Sequence, residues 1–569
     1  MPTAPTLSPQ ASPGHALPIR TLRTLTWSAW VVGAGLFLAL GGRWLVQGGV
    51  DLAVRVSGTE SLQIQDTGAL HEFVATLAQV LSGVLGFTIS VVAIVVQLSA
   101  DRFTPKVTEL FLREKVNFYI IFFLILANVV SLWSSMALSI YERPALLIGL
   151  NLVLGTASFL VLIPYFNFVF NFLQPASIIH RIEQQVQQAV LSALASGPEW
   201  CRSSRQEHAS EGSPQSKSSL AHQRCLSALD EIKGIATSAI RQQEGIILLD
   251  ALDSLKAFWL FYAARKEQLP RNWFLLSPAL RRDPDFVSVD EGLLRQIEME
   301  GSWVELKILR QYQALFGEGL NGMRQVSTLV AIHSRELGIR ALQTQKLMVA
   351  GWVIKFFNTY LRAVINTQDI RTGYNLLKQY RMVAEAALRQ HHSALVLEIV
   401  GHFRYYSLIA YKAGLFFLSE TFGFDLGLLA QLSCALRLET TEAILQVLLR
   451  LDQDPESEQQ ESTLRGIRKT QVRLAAYFLS CGREDLAKLI YLDMHHEPLV
   501  RLQIIRQELQ STTAEFWEFT DRGENFYYLD PVLQPYADQF FGWFPVFSPQ
   551  MNAGQEPLYP SGQGSLELP

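Results

Sequence analysis

The pattern of hydrophobic and polar positions divides the chain in two. From Phe73 to Ala100 there is no Asp, Glu, Lys, Arg or His, and about 20 such residues cross a bilayer as a helix. The stretch "GFTISVVAIVVQL" inside this run has a strand's composition. Uncharged length decides against a strand, because lipid offers the backbone no partner outside a helix. Three further runs pass the same test: Thr24–Gly42, Asn117–Tyr141, and Pro144–Ile179, interrupted by Pro164 and closed near Gln174 and Pro175. The pattern predicts an all-α chain with a leader at 1–23 and a four-helix transmembrane module at 24–175, its spans at about 24–46, 73–98, 117–140 and 145–173. Thr24 opens a span rather than a signal peptide, since the polar leader is long and no A-x-A-like cleavage site follows.

Beyond the spans, Ile178, Ile182 and Val186 continue an amphipathic exit helix toward Leu194, and a Ser-rich polar linker completes residues 176–219. Residues 220–547 read as successive helices: Leu220–Ala239, Gly245–Glu267, Trp303–Phe316, Leu347–Ile365, Thr372–Leu388, Ser393–Leu418, Thr441–Leu451, Leu464–Ser480 and Glu484–Met494. Short breaks between them predict hairpins stacked into an array. In "LAAYFLSCGREDLAKLIYLDMHHEP", Leu474, Ala475, Phe478, Gly482, Ala487 and Tyr491 have the spacing of a tetratricopeptide-like helix pair, with Pro498 near its end. No clean copies stand one such repeat length upstream, and a generic hairpin fits equally. The aromatic-rich stretch Glu515–Phe547 is expected to cap the last helices, the other reading being an exposed docking surface. The Gly/Pro-rich tail 548–569 is expected to be disordered.

Span two carries a second pattern. Thr76, Gln79, Gly83, Gly86, Ser90, Ala93 and Gln97 recur every three or four residues and share one helical face. Such a face is either a packing seam, with small residues for close approach and amides for interhelical hydrogen bonds, or the lining of a polar cavity. Further amides gather at the same membrane depth: Asn117 opening span three, and Asn167, Asn171 and Gln174 on one face of span four. After span two, Thr104 and Pro105 can start a new helix. Arg102, Phe103, Pro105, Lys106 and Arg113 then form an interfacial elbow whose basic residues reach lipid phosphates. "VVGAGLFLALGG" fits a loose dinucleotide fingerprint through Gly33, Gly35 and Ala39, but it lies inside a hydrophobic run with no preceding strand and is not read as a nucleotide site.

The run "FTISVVAIVVQLSADRFTPKVTELFLREK" resembles the signature of a bacterial membrane-protein family known as domain of unknown function 2254. Matching positions are Phe87, Val91 or Val92, Gln97, Leu98, Ser99, Phe103, Pro105, Phe111 and Arg113. The chain departs from the signature at Thr104, Lys106 and Glu114, where Ser, Arg and Asp are usual. A later Ser-Pro…Asn-Asp-Pro feature of relatives is missing from "IATSAIRQQEGIILLDALDSL", so no role is carried over from it. The resemblance covers the spans and implies membrane location; the family brings no established activity.

Charge settles orientation and excludes some functions. Arg20 and Arg23 precede span one, and Arg102, Lys106, Arg113 and Lys115 lie between spans two and three. The opposite segments hold only Arg43, Arg55 and Arg143. Basic residues stay cytoplasmic, so both termini are expected in the cytoplasm of a multi-pass inner-membrane protein. A formal net charge of -4 leaves no footprint for nucleic acid. The lack of deep charges argues against a proton relay or an ion-coupled pump. Cys201, Cys225, Cys434 and Cys481 include no CxxC pair, so neither a disulfide framework nor a zinc ribbon is expected. "DMHHEP" gathers Asp493, His495, His496 and Glu497 in an inter-helix turn without metal-pair spacing, and His391, His392 and His402 are read the same way. No Walker loop, HExxH, GxSxG or kinase set occurs. No cofactor, metal or catalytic residue is therefore assigned. The expected partners are the lipid bilayer and either another protein or a second copy of the chain. The alternative is an oligomeric channel whose pore span two lines.

Overall fold

The computed structural model describes residues 67–102, 114–137, 144–172, 174–195, 214–451, 457–515 and 520–547. The chain divides into two compact units, Met1–Ile178 and Ile179–Pro569. Among the described residues both are helical, with no strand.

In the first unit, α1 (Thr67–Arg102), α2 (Lys115–Ala137) and α3 (Pro144–Phe172) contain three stretches long and apolar enough to cross a membrane: Glu72–Gln97, Lys115–Met136 and Ile148–Asn171. At 1.5 Å per residue each exceeds the roughly 30 Å of hydrocarbon. The expected span at 24–46 lies outside the described residues. Pro164 does not interrupt α3, which runs through it; a neighbouring helix can satisfy the carbonyl a proline frees. The helix instead ends at Phe172, and α4 (Pro175–Ala195) begins on Pro175, whose missing N–H is harmless in a first turn. In α4, Ile178, Ile182 and Val186 are buried on one face, as the exit-helix pattern requires.

The three spans pack through two kinds of interior. Val92, Ile120, Leu124, Tyr165 and Val169 form an apolar cluster where α1 ends and α2 begins. Toward the opposite end, where α2 ends and α3 begins, the buried positions include Asn128, Ser131, Ser134, Asn151 and Ser158. Large apolar side chains face outward, among them Phe118, Trp133 and Ile163. That arrangement is stable only if the surroundings are themselves apolar.

The second unit takes in α4 from Ile179 onward and continues with α5 (Pro214–Gln242) and α6 (Gly245–Ala263), then an irregular stretch with α7 (Arg271–Phe274), α8 (Pro278–Arg282) and α9 (Glu291–Glu300). The helix expected at Leu220 starts earlier, at Pro214. Long helices follow: α10 (Trp303–Asn321), α11 (Arg324–Gln343), α12 (Leu347–Thr367), α13 (Ile370–Arg389), α14 (Ser393–Lys412) and α15 (Phe416–Ala435). The single helix expected over Ser393–Leu418 is two, because Gly414, just after Lys412, adopts a left-handed conformation (φ +77°).

From α11 to α15 the helices start at 324, 347, 370, 393 and 416, every 23 residues. The turns repeat with them. Gln345, Gln368, His391, Gly414 and Arg437 are all left-handed, and each closes one unit. Equivalent side chains meet between units: Phe357 stacks on Tyr380 at 4.8 Å, and Tyr380 meets Phe403 edge-on at 5.2 Å, one residue from each of three successive helices. Each helix also packs on the next but one, and glycines bring those pairs close. A Cβ on Gly338 would meet Val383 at 3.6 Å, and one on Gly373 would meet Leu418 at 3.0 Å. The result is a stack in which contacts stay local along the chain.

The stack ends with α16 (Thr440–Leu448), α17 (Glu458–Ser480), α18 (Glu484–Met494) and α19 (Leu499–Ser511). The tetratricopeptide-like residues do form a hairpin, α17–α18, turning at Gly482 (φ +74°), with Ala475, Phe478 and Ala487 buried. Residues 520–547, which include α20 (Gln534–Phe541), fold back onto the stack: α20 packs on α17, and Phe526 stacks on Phe424 at 4.0 Å.

Candidate functional site

The face singled out in span two belongs to α1, and all seven of its positions, Thr76, Gln79, Gly83, Gly86, Ser90, Ala93 and Gln97, are exposed. Against α2 and α3 the helix uses its other side, where Val74, Ala78, Leu81, Thr88 and Val92 are buried. The pattern therefore does not serve as the seam between these three helices. A Cβ at Gly83 or Gly86 would meet nothing within 4 Å. Thr76 bonds back to the Glu72 carbonyl at 2.8 Å, leaving Gln79, Ser90 and Gln97 as the outward polar groups.

The interhelical polar contact uses residues that the spacing argument passed over. Ser82 and Asn128 exchange hydrogen bonds across α1 and α2, Ser82 Oγ donating to Asn128 Oδ1 at 3.0 Å and Asn128 Nδ2 to Ser82 Oγ at 2.9 Å. The sequence signal was an amide in mid-span at Asn128, the costliest place to leave one unsatisfied. The other amides do not converge on the outward face. Asn117 is buried. Asn171 donates to Asn167 at 2.7 Å along α3, and Gln174 is exposed at the break before α4. Of the expected elbow, Arg102 ends α1, while Phe103, Pro105, Lys106 and Arg113 lie outside the described residues.

In the second unit, charged side chains sit in interior locks. Lys307, wholly buried, meets Asp230 at 2.8 Å, Asp283 at 2.8 Å and Asp285 at 2.7 Å, tying α5 and the irregular stretch to α10. Arg522, also wholly buried, grips Asp425 at 2.8 Å and donates to the Tyr374 carbonyl; Arg381 approaches the same Asp425 at 3.1 Å. His222 lies between Trp273 and Trp303, its ring bonded to the Trp273 carbonyl at 2.9 Å, and burial lowers its pKa to about 4. Glu420 is buried over Gly466, where any larger residue would overlap it, and burial raises its pKa to about 7 despite a hydrogen bond from Tyr527 and the charge of Lys469.

Lys307, Arg522 and His222 are each held by structural partners, while Glu420 keeps a buried Oε1 without a hydrogen-bond partner. In the "DMHHEP" turn, Asp493 pairs with Arg468, and Glu497 with Arg468 and Arg501. His391 and His392 form the turn between α13 and α14, and His402 faces Glu398 at 3.6 Å. Among the described residues, no group of three His, Cys, Asp or Glu side chains is placed to hold a metal ion.

Residues 23–242 match the model of the family described as "Predicted membrane protein (DUF2254)". The match takes in α1 to α5, while the repeating stack lies beyond it. No curated protein and no solved structure matches the chain.

Proposed function

We propose that this is a non-enzymatic, multi-pass inner-membrane protein that associates with itself through the outward face of α1. Its C-terminal helical stack then serves protein interaction on the cytoplasmic side. The carrying observation is that Gln79, Ser90 and Gln97 stand exposed along one face of a helix whose other face is already packed. Hydrocarbon penalises an unpartnered amide by several kcal/mol, and a second helix relieves that cost. Gly83 and Gly86 leave room for its close approach. The basic residues flanking α1 and α2 support cytoplasmic termini.

The test is the mass of the full chain in lipid nanodiscs, for wild type and for Gly83→Ile combined with Gly86→Ile. The open space around both glycines lets the subunit fold unchanged, so the expected result is an oligomer that falls to monomer in the variant. A monomeric wild type, or a variant of unchanged mass, would sink the proposal.

The same exposed amides favour a second reading, in which several α1 helices surround a polar path. Reconstituted liposomes would then pass current that Gln97→Leu and Ser90→Leu both reduce; oligomers without current above empty liposomes leave association alone.

A further inference from the structure

Cys434 and Cys481 are 47 positions apart, yet the packing of α15 on α17 carries them to the same place. Three close approaches fix the register of that helix pair. Glu420 fills the space at Gly466; a Cβ on Gly423 would meet Ile467 at 3.3 Å; and Thr470 closes over Gly427, where a Cβ would lie 2.5 Å away. In each, residues about 45 positions apart meet, so the two helices run parallel. Continued for two turns, this register sets Cys434, in the last turn of α15, against Tyr477 and Cys481 at the end of α17. The thiol environments agree with it. Burial raises the Cys434 pKa, and the charge of Cys481 and a hydrogen bond with it add to the rise. Tyr477 likewise hydrogen-bonds Cys481 and feels the charge of Cys434. Cys481 is exposed to solvent, whereas Cys434 is buried.

We propose that Cys434 and Cys481 form a peroxide-responsive dithiol that closes reversibly into a disulfide between α15 and α17. The exposed Cys481 thiolate attacks hydrogen peroxide, breaking the O–O bond to give a sulfenic acid and a hydroxide that leaves as water. The Cys434 thiol then attacks the sulfenic sulfur and gives up its proton to the departing hydroxide, forming the S–S bond and releasing a second water. Two thiols lose two electrons and one peroxide becomes two waters. In a reducing compartment such a bond is transient and signals oxidation. Closure would pin two next-but-one helices of the stack together at one end.

The experiment uses the reduced full chain in detergent, exposed to hydrogen peroxide and read by intact mass and by peptide mapping without reductant. The expected result is a loss of 2 Da, a cross-linked peptide pair containing Cys434 and Cys481, and reversal by dithiothreitol. Cys225→Ser should leave the link intact, whereas Cys434→Ser should abolish it and let Cys481 gain oxygen instead. The proposal is overturned if Cys481 goes to sulfinic acid in wild type while Cys434 stays reduced. It is equally overturned if the bond joins Cys481 to Cys201, Cys225 or a second copy.

Discussion

The two units use the same secondary structure with opposite insides. In the first, α1, α2 and α3 carry no charged side chain between Phe73 and Gln97, Val116 and Ala137, or Pro144 and Phe172. Many of their large apolar side chains point outward, and the polar groups they enclose, such as Asn128, Ser131 and Asn151, are neutral. In the second, aromatic ladders fill the core and wholly buried cations, Lys307 and Arg522, are held by carboxylates. Burial depth alone therefore does not tell which solvent a helix was built for. What separates the units is whether charge is tolerated inside and whether bulk apolar surface is tolerated outside.

That contrast can be broken at the second unit's strongest lock. Asp425→Ala strips Arg522 of its carboxylate and takes one from Arg381; removing one partner of a buried pair typically costs about 3–5 kcal/mol. Chemical denaturation of the full chain in detergent should show a loss of this size in the second unit's transition. An unchanged midpoint would mean that the interior charges do not hold the stack.

Glu420 offers a sharper, pH-dependent version. Its folded pKa, about 7, lies above the ordinary 4.5, so the folded state favours the protonated acid. Stability from this group is full below the unfolded pKa and declines as pH rises through about 7. Glu420→Gln should therefore stabilise by about 3 kcal/mol at pH 8 and change little at pH 4, at 1.36 kcal/mol per pKa unit. A pH-independent effect would contradict the burial argument.

The smallest effect belongs to the first unit. Asn128→Leu removes the exchange with Ser82, and interhelical hydrogen bonds in bilayers average about 0.6 kcal/mol. Unfolding in mixed micelles should show a loss near that size. A loss matching that of Asp425→Ala would erase the distinction between the two interiors.

The spans were legible because hydrocarbon imposes one crude demand, uncharged length, that no packing detail can override. The α1 face was legible as a face from its spacing, but not its outward direction, which depends on which other residues α2 and α3 engage. The stack was legible as helices and not as a repeat. Its stop position is occupied in turn by Gln345, Gln368, His391, Gly414 and Arg437, and only one of these is the residue a left-handed turn favours. The others accept roughly 1 kcal/mol each of backbone cost, which the packed helices on either side offset. For the same reason α11 and α15 passed unnoticed as separate helices. The charged locks were invisible because their members, Asp425 and Arg522 for instance, are 97 positions apart and meet only through the fold.

The strict spacing of helix starts from 324 to 416 restricts how this part of the molecule can change length. Neighbours in the stack point in alternate directions, so excising one unit, such as 370–392, would reverse the heading of everything downstream and send each later side chain to the wrong end. Excising two would restore the heading. The array can grow or shrink by even numbers of units only, and a chain shortened by 46 residues should fold where one shortened by 23 fails.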